Sequence, residues 1–251
     1  MATNLVTKTE DFSHADWSND TVTVTANTTA APTFAGGSAG LADTLADNSA
    51  VVQGSLFSTY RAIANNATDW MTSVFIRKDA TTTRFPEITM QMIDGVGLYC
   101  GVQINTSTGA IANSLDGAPD AKGVVDFDAL WWRVWLRKAN NASGNTSLRM
   151  GIFPARAGTI GGSDSSTTGS IIAWGANQTN DSTVQTYAPD PTYSFATTLP
   201  AGDVTTGFRA YINANAAGAD VMPKLRAALA SSTGLAVAGD ISMLMAKYIG
   251  R

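Results

Sequence analysis

Between Thr21 and Trp174 the chain breaks into short segments of alternating side-chain character, separated by turn signals and without a helical pattern between them. A period of two sends successive side chains to opposite faces of a strand, whereas an amphipathic helix needs apolar residues three and four apart. Thr21-Val22-Thr23-Val24-Thr25 alternates strictly. Residues 69–78 place Trp70, Val74 and Ile76 on one face, with Met71, Ser73, Phe75 and Arg77 on the other. Residues 85–93 and 97–104 read as two strands around the turn signal Asp94-Gly95. Residues 105–111 read as a hairpin turn leading into another strand, and residues 131–137, 147–153 and 170–174 complete the series. Strands this closely spaced predict an all-β fold: an antiparallel β-sandwich of the jelly-roll kind, not alternating β-α units.

Composition agrees. Thr, Ser and Asn make up about a quarter of the chain, and Glu occurs only at Glu10 and Glu87. Long Glu-, Lys- and Leu-rich periodic runs are missing, which excludes a helical bundle. With 44% hydrophobic residues and six Trp, the chain can bury a sizeable core, which excludes disorder. A net charge of −4 without a Lys/Arg cluster argues against nucleic acid. No run approaches the length needed to cross a bilayer, and the start lacks a basic-then-apolar leader, so neither membrane insertion nor a signal peptide is expected.

Beyond the strands the pattern changes. Residues 158–169 read as a flexible loop, and Ala188-Pro189-Asp190-Pro191 ends regular pairing. These marks divide the chain into a sandwich domain over residues 1–190 and a C-terminal region over residues 191–251, of mixed or unassigned structure. Within the latter, residues 220–230 carry a helix pattern capped by Asp220, with Leu225 and Leu229 four apart. Residues 234–250 are apolar and nearly chargeless. They suit either packing against the sandwich or docking on another subunit.

Catalytic equipment is sparse. Cys100 is the only cysteine and His14 the only histidine, so any nucleophilic dyad, triad or multi-histidine zinc site would have to use them. Cys100 reads as a buried strand residue and His14 lies in a polar N-terminal segment. Asp126 and Asp128, or Glu10 and Asp11, could form the carboxylate pair of a glycosidase, but acids this common in loops read better as turn residues. No Gly-rich segment carries the Lys-Ser/Thr that grips a phosphate. Not an enzyme, on this reading, and no cofactor is expected.

Trp131-Trp132-Arg133-Val134-Trp135-Leu136 is bulky on both faces. One face belongs to the core. For Trp131, Arg133 and Trp135 three roles stay open: cover by a loop or tail, a subunit contact, or a stacking platform for a sugar ring.

Several segments together resemble one family. Residues 4–17, containing Asn4-Leu5 and Glu10-Asp11-Phe12-Ser13 and ending on Trp17, with Val22-Thr23-Val24-Thr25-Ala26-Asn27, are similar to the start of carbohydrate-binding-module-like jelly rolls in tailed-phage structural proteins. Ala42-Asp43-Thr44-Leu45, Ser73-Val74-Phe75-Ile76-Arg77-Lys78, Trp132-Arg133-Val134, Phe153-Pro154-Ala155, Trp174-Gly175-Ala176 and Tyr187-Ala188-Pro189 follow in that family's order. The resemblance covers roughly residues 4–190. Asn177-Gln178 and Leu130 depart from its pattern, and the last 50 or so residues match nothing in it. It implies a virion structural protein at the particle surface, made in the host cytoplasm: a capsid decoration or head-fibre protein, with a tail-fibre adhesin for host glycans as the alternative. A glycan-active enzyme or its binding module is the reading from a different class. The implied partners are other virion proteins (the major capsid protein or tail proteins), further copies of the chain in a homo-oligomer, by default a trimer, and a host surface glycan. It also implies a structural Ca²⁺, to which Glu10 or Asp11 with a late-strand acid could contribute.

Overall fold

A computed structural model describes residues 4–6, 8–34, 37–38, 41–142 and 144–183. Fifteen strands are described: β1 (Trp17–Asp20), β2 (Val22–Ala30), β3 (Thr33–Phe34), β4 (Gly37–Ser38), β5 (Leu41–Asp47), β6 (Ser55–Ser58), β7 (Arg61–Ala62), β8 (Asp69–Arg77), β9 (Phe85–Ile93), β10 (Leu98–Ile104), β11 (Ile111–Asn113), β12 (Ala121–Asp126), β13 (Trp131–Ala139), β14 (Ser147–Ala157) and β15 (Gly169–Thr179). Among the described residues there is no helix, and hence none long and apolar enough to cross a membrane.

The strands form two antiparallel sheets. The first runs β1-β6-β14-β9-β10-β11, with β7 also paired to β14; the second runs β12-β13-β8-β15-β5-β2. β3 and β4 make a separate two-stranded hairpin. The fold is therefore the all-β sandwich that the alternation predicts. The core confirms the faces: Ile88, Met90 and Met92 from β9, and Leu148, Met150 and Ile152 from β14, meet Trp132, Val134 and Leu136 from β13 and Val74 and Ile76 from β8. One residue per pair of positions points inward, and burial of each such side chain contributes about 1.5–3 kcal/mol.

Seven strands go beyond the sequence reading: β1, β3, β4, β5, β6, β7 and β12. β5, β6 and β12 have mixed or short apolar patterns, and pairing with a neighbour supplies what local propensity does not. β14 and β15 also run longer than their periodic segments, because register shifts between Phe153 and Ala157 and between Trp174 and Asn177 carry them past the point where alternation fails. The 158–169 connection, expected to be flexible, is tied down. Asp164 N–H donates to the Arg156 carbonyl (3.0 Å), and Ser166 donates to the Asp164 carboxylate from both N–H (2.9 Å) and hydroxyl (2.7 Å).

The family-like segments lock the N-terminal stretch to the sandwich. Asn4 Oδ1 accepts from the Gln178 N–H (2.8 Å), while Leu5 N–H donates to the Gln178 carbonyl (2.8 Å). Phe12 and Trp17 pack edge to face with centroids 4.9 Å apart. The buried Asp43 carboxylate then accepts from the Phe12 N–H and the Asn27 N–H, both at 2.8 Å. Burial pushes the Asp43 carboxyl up, only partly offset by those two N–H groups. Three segments far apart in the chain are thus fastened at one carboxylate. The C-terminal readings over residues 191–251, and the boundary at 190, lie outside the described residues.

Candidate functional site

The outer face of the first sheet is built in rows by strand register. Tyr99 pairs with Gln91 across β10 and β9, and Gln91 pairs with Arg149 across β9 and β14. Since core residues flank each of these positions in sequence, all three side chains point outward. With neighbouring strands about 4.8 Å apart, the row spans about 10 Å. Its centre is preorganised: Gln91 Oε1 accepts from Arg149 Nε at 2.8 Å. The Arg149 guanidinium also lies 4.1 Å from the Phe57 ring centroid and 4.4 Å from that of Tyr60. Tyr60 is 40% exposed and Tyr99 49% exposed, so the row ends in two accessible aromatic rings. Flat aromatic faces flanking fixed polar groups suit a pyranose ring, whose C–H face stacks while its hydroxyls bond.

The next row, Gly101–Thr89–Gly151–Phe57, is low because two of its four members have no side chain. The third, Gln103–Glu87–Phe153, is buried under the 158–169 connection. Gln103 Nε2 donates to the Gly162 carbonyl (2.5 Å) and to Glu87 Oε2 (3.2 Å), and Gln103 Oε1 accepts from Gly161 N–H (2.7 Å). Arg156 Nε stands 3.2 Å from Glu87 Oε2, and Arg156 Nη2 reaches Asp116 at 3.1 Å. Glu87 is wholly buried, and burial pushes its carboxyl up to about 7, against partial relief from Ser114, Arg156 and Gln103. A carboxyl near neutral pKa is a common mark of acid–base catalysis. This one is sealed from solvent and locked by its neighbours, which is the environment of a structural network.

The outer face of the second sheet carries the residues singled out from the sequence. Trp131 is 1% exposed and Arg133 7% exposed, while Trp135 is half-buried. Arg133 Nη2 donates to Ser73 Oγ (3.1 Å), and its guanidinium lies 5.4 Å from the Phe75 ring. Phe75 in turn meets Phe127 edge to face at 5.0 Å and Trp174 at 5.7 Å. Trp135 lies over Gly123, where a Cβ would fall 2.6 Å from its ring. The structure thus brings Trp131, Arg133 and Trp135 to one face, and of the three only Trp135 keeps appreciable contact with solvent.

The remaining sequence candidates are dispersed. Cys100 sits in the core, and burial pushes its thiol up to about 12, so the thiolate nucleophile is suppressed. His14 Nδ1 accepts from the Asp16 N–H at 3.1 Å. Lys78 pairs with Asp126, while Asp128 Oδ1 caps its own turn by accepting from Leu130 N–H (2.7 Å). Asp11 Oδ1 accepts from Ser13. Gln178, where the chain departs from the family pattern, donates from Nε2 to Thr72 Oγ1 (3.1 Å). Among the described residues no three His, Cys, Asp or Glu side chains gather as a metal site.

Sequence reasoning missed the Tyr99–Gln91–Arg149 row. Its members lie on three separate strands, and only the ladder register aligns them; the outward parity of each was legible.

No protein-family model matches the chain, and no curated protein matches it. Solved structures do show likeness in backbone. One is the enzymatically active domain of tailspike protein 4 from bacteriophage CBA120, at 11% identity and a TM-score of 0.40 over 70% of this chain and 21% of that one. Another is TmCBM61 in complex with β-1,4-galactotriose, at 8% identity and a TM-score of 0.35 over 72% of this chain and 100% of that one. A third is TmCBM27, a carbohydrate-binding module described for specific mannan recognition, at 9% identity and a TM-score of 0.34 over 72% of this chain and 96% of that one. All three likenesses fall below a TM-score of 0.5, so the functional reading rests on this chain's own residues.

Proposed function

We propose that this chain is a non-enzymatic structural protein of a tailed-phage particle, a capsid decoration or head-fibre protein that displays a carbohydrate-binding-like jelly roll. The observation that carries the reading is the family-like series of segments, which up to Ala176 falls at successive positions of the sandwich, while Tyr187-Ala188-Pro189 lies outside the described residues. Asn4 fastens to β15, Asp43 clamps Phe12 and Asn27, Ser73-Val74-Phe75-Ile76-Arg77 is the end of the central strand β8, and Trp132-Arg133-Val134 is its partner β13. In this reading the chain forms a homo-oligomer, by default a trimer, anchored through residues 191–251 on the major capsid protein. Immunogold labelling of purified particles with an antibody against the sandwich tests it. Gold on the head supports decoration, gold on the tail supports the second reading, and unlabelled particles overturn both.

That second reading, a tail-fibre adhesin for host glycans, is favoured by one observation: the aromatic-flanked Arg149 and Gln91 row with exposed Tyr60 and Tyr99. It requires that the protein bind a host polysaccharide in an array and that Arg149→Ala weaken binding at least about tenfold, the loss of one desolvated charged contact. An array without binding ends it.

A further inference from the structure

A second concave site lies at the end of the second sheet, where β8 stops and β15 begins. The connection from β8 to β9 and the first residues of β15 enclose an open cleft of about 610 Å³, lined by Arg77, Lys78, Asp79, Thr81, Arg84 and Ser170 among others. Its charges run against the chain average. Lys78 is paired with Asp126, so Arg77 and Arg84 against Asp79 leave an excess of one positive charge (2 − 1 = 1), in a chain whose net charge is −4.

Arg84 is the anchor. Its side chain is 6% exposed and its Nη2 pairs with Asp79, yet its Nη1 is buried without a hydrogen-bond partner. A buried guanidinium nitrogen left unpaired costs free energy that an incoming acceptor would recover. The arginine is also built into place. Gly169 adopts φ +150°, and a Cβ there would fall 2.6 Å from Arg84 Cδ, so the stem lies where only glycine permits it. Asp79 is held in turn by Thr81 N–H (2.8 Å) and Thr106 Oγ1 (2.9 Å). Burial acts against its ionised form, but the Arg84 charge and these donors prevail and keep its carboxyl below the ordinary value. Asp79 therefore stays a carboxylate and fixes one edge of the guanidinium.

We propose that this cleft binds a carboxylate-bearing saccharide, a uronic-acid-type sugar, with its carboxylate on Arg84. A guanidinium recognises a planar carboxylate by parallel hydrogen bonds. The hydroxyls of Thr81, Thr83, Thr168 and Ser170 line the rest of the cleft and match sugar hydroxyls, while Ile172 offers an apolar wall. The volume is in the range that holds a small organic ligand and exceeds the needs of a bare inorganic anion. The site is separate from the Arg149 row and goes beyond the virion role, so each can fail without the other.

The test is calorimetric titration of the full chain with D-glucuronate, D-glucose and inorganic phosphate in parallel, with Arg84→Lys and Ser170→Leu as variants. Arg84→Lys keeps the charge beside Asp79 but loses the fork; Ser170→Leu leaves Arg84 intact and crowds the cleft from an exposed position. Saturable binding of glucuronate, weakened at least tenfold by either folded variant and absent for glucose, is expected. Absence of glucuronate binding overturns the proposal. So does phosphate binding as tight as glucuronate, which would mark a general anion site, or glucose binding as tight, which would remove the role of charge. Unchanged affinity in both variants overturns it as well. Binding to a polysaccharide array that Arg149→Ala abolishes would leave the adhesin reading standing whatever the glucuronate result.

Discussion

Glu87→Gln should make the protein more stable at pH 8 while leaving it nearly unchanged at pH 4. The Glu87 carboxyl is wholly buried and pushed up to about 7 from an ordinary value of 4.5. Below pH 4.5 the group is protonated in both folded and unfolded chains and contributes nothing to the pH dependence. Between 4.5 and 7 the unfolded chain releases its proton while the folded chain keeps it, so stability falls as pH rises. Above 7 both forms are ionised and the penalty is constant. The difference in pKa corresponds to about 3 kcal/mol, or about 6–12 °C in Tm for a domain of this size. Glutamine keeps the length and an acceptor for Gln103 Nε2, and Arg156 retains Asp116 at 3.1 Å. Thermal melts of both proteins from pH 4 to 8 isolate the effect, because every other titrating group cancels in the difference. Curves for the two proteins that run parallel, with the variant less stable throughout, would refute the reasoning. They would mean that the Arg156 ion pair, 3.2 Å from Oε2, holds Glu87 ionised across the range.

Three further perturbations probe the packing. Trp131→Ala should cost about 3–5 kcal/mol in urea unfolding, and Trp135→Ala clearly less, since the first indole is 1% exposed and the second half-buried. Equal small losses would contradict the burial of the outer face. Asp43→Ala orphans the N–H groups of Phe12 and Asn27 and should cost at least about 2 kcal/mol, with earlier proteolytic release of the N-terminal stretch. Gly101→Ala places a Cβ 2.4 Å from Glu87 Oε1 and should destabilise by about 1–3 kcal/mol; a neutral result would show that the Glu87 network yields freely.

What the sequence discloses depends on whether a residue's role is local. The period of two along β8, β9, β10, β13 and β14 is a local property, and the sandwich with its core faces follows from it. β5 and β12 are strands because neighbours complete their hydrogen bonding, which no window of their own residues records. The candidate sites are less legible still. Tyr99, Gln91 and Arg149 become one row only through ladder register, and Arg84, just before β9, meets Gly169, the first residue of β15, only in the folded sandwich. Parity puts Trp131 and Arg133 on one face, but parity says nothing of exposure, and their burial is a tertiary fact. Asp128 shows the opposite case, its reading as a turn residue standing as a cap on Leu130, whereas Asp126 ends β12 and pairs with Lys78.

The central claim, a structural role on the particle, is tested most directly by quantitative mass spectrometry of purified virions. This protein should occur in fixed, high stoichiometry to the major capsid protein, as a decoration protein repeated across a symmetric shell must. Its absence from purified particles would contradict the account.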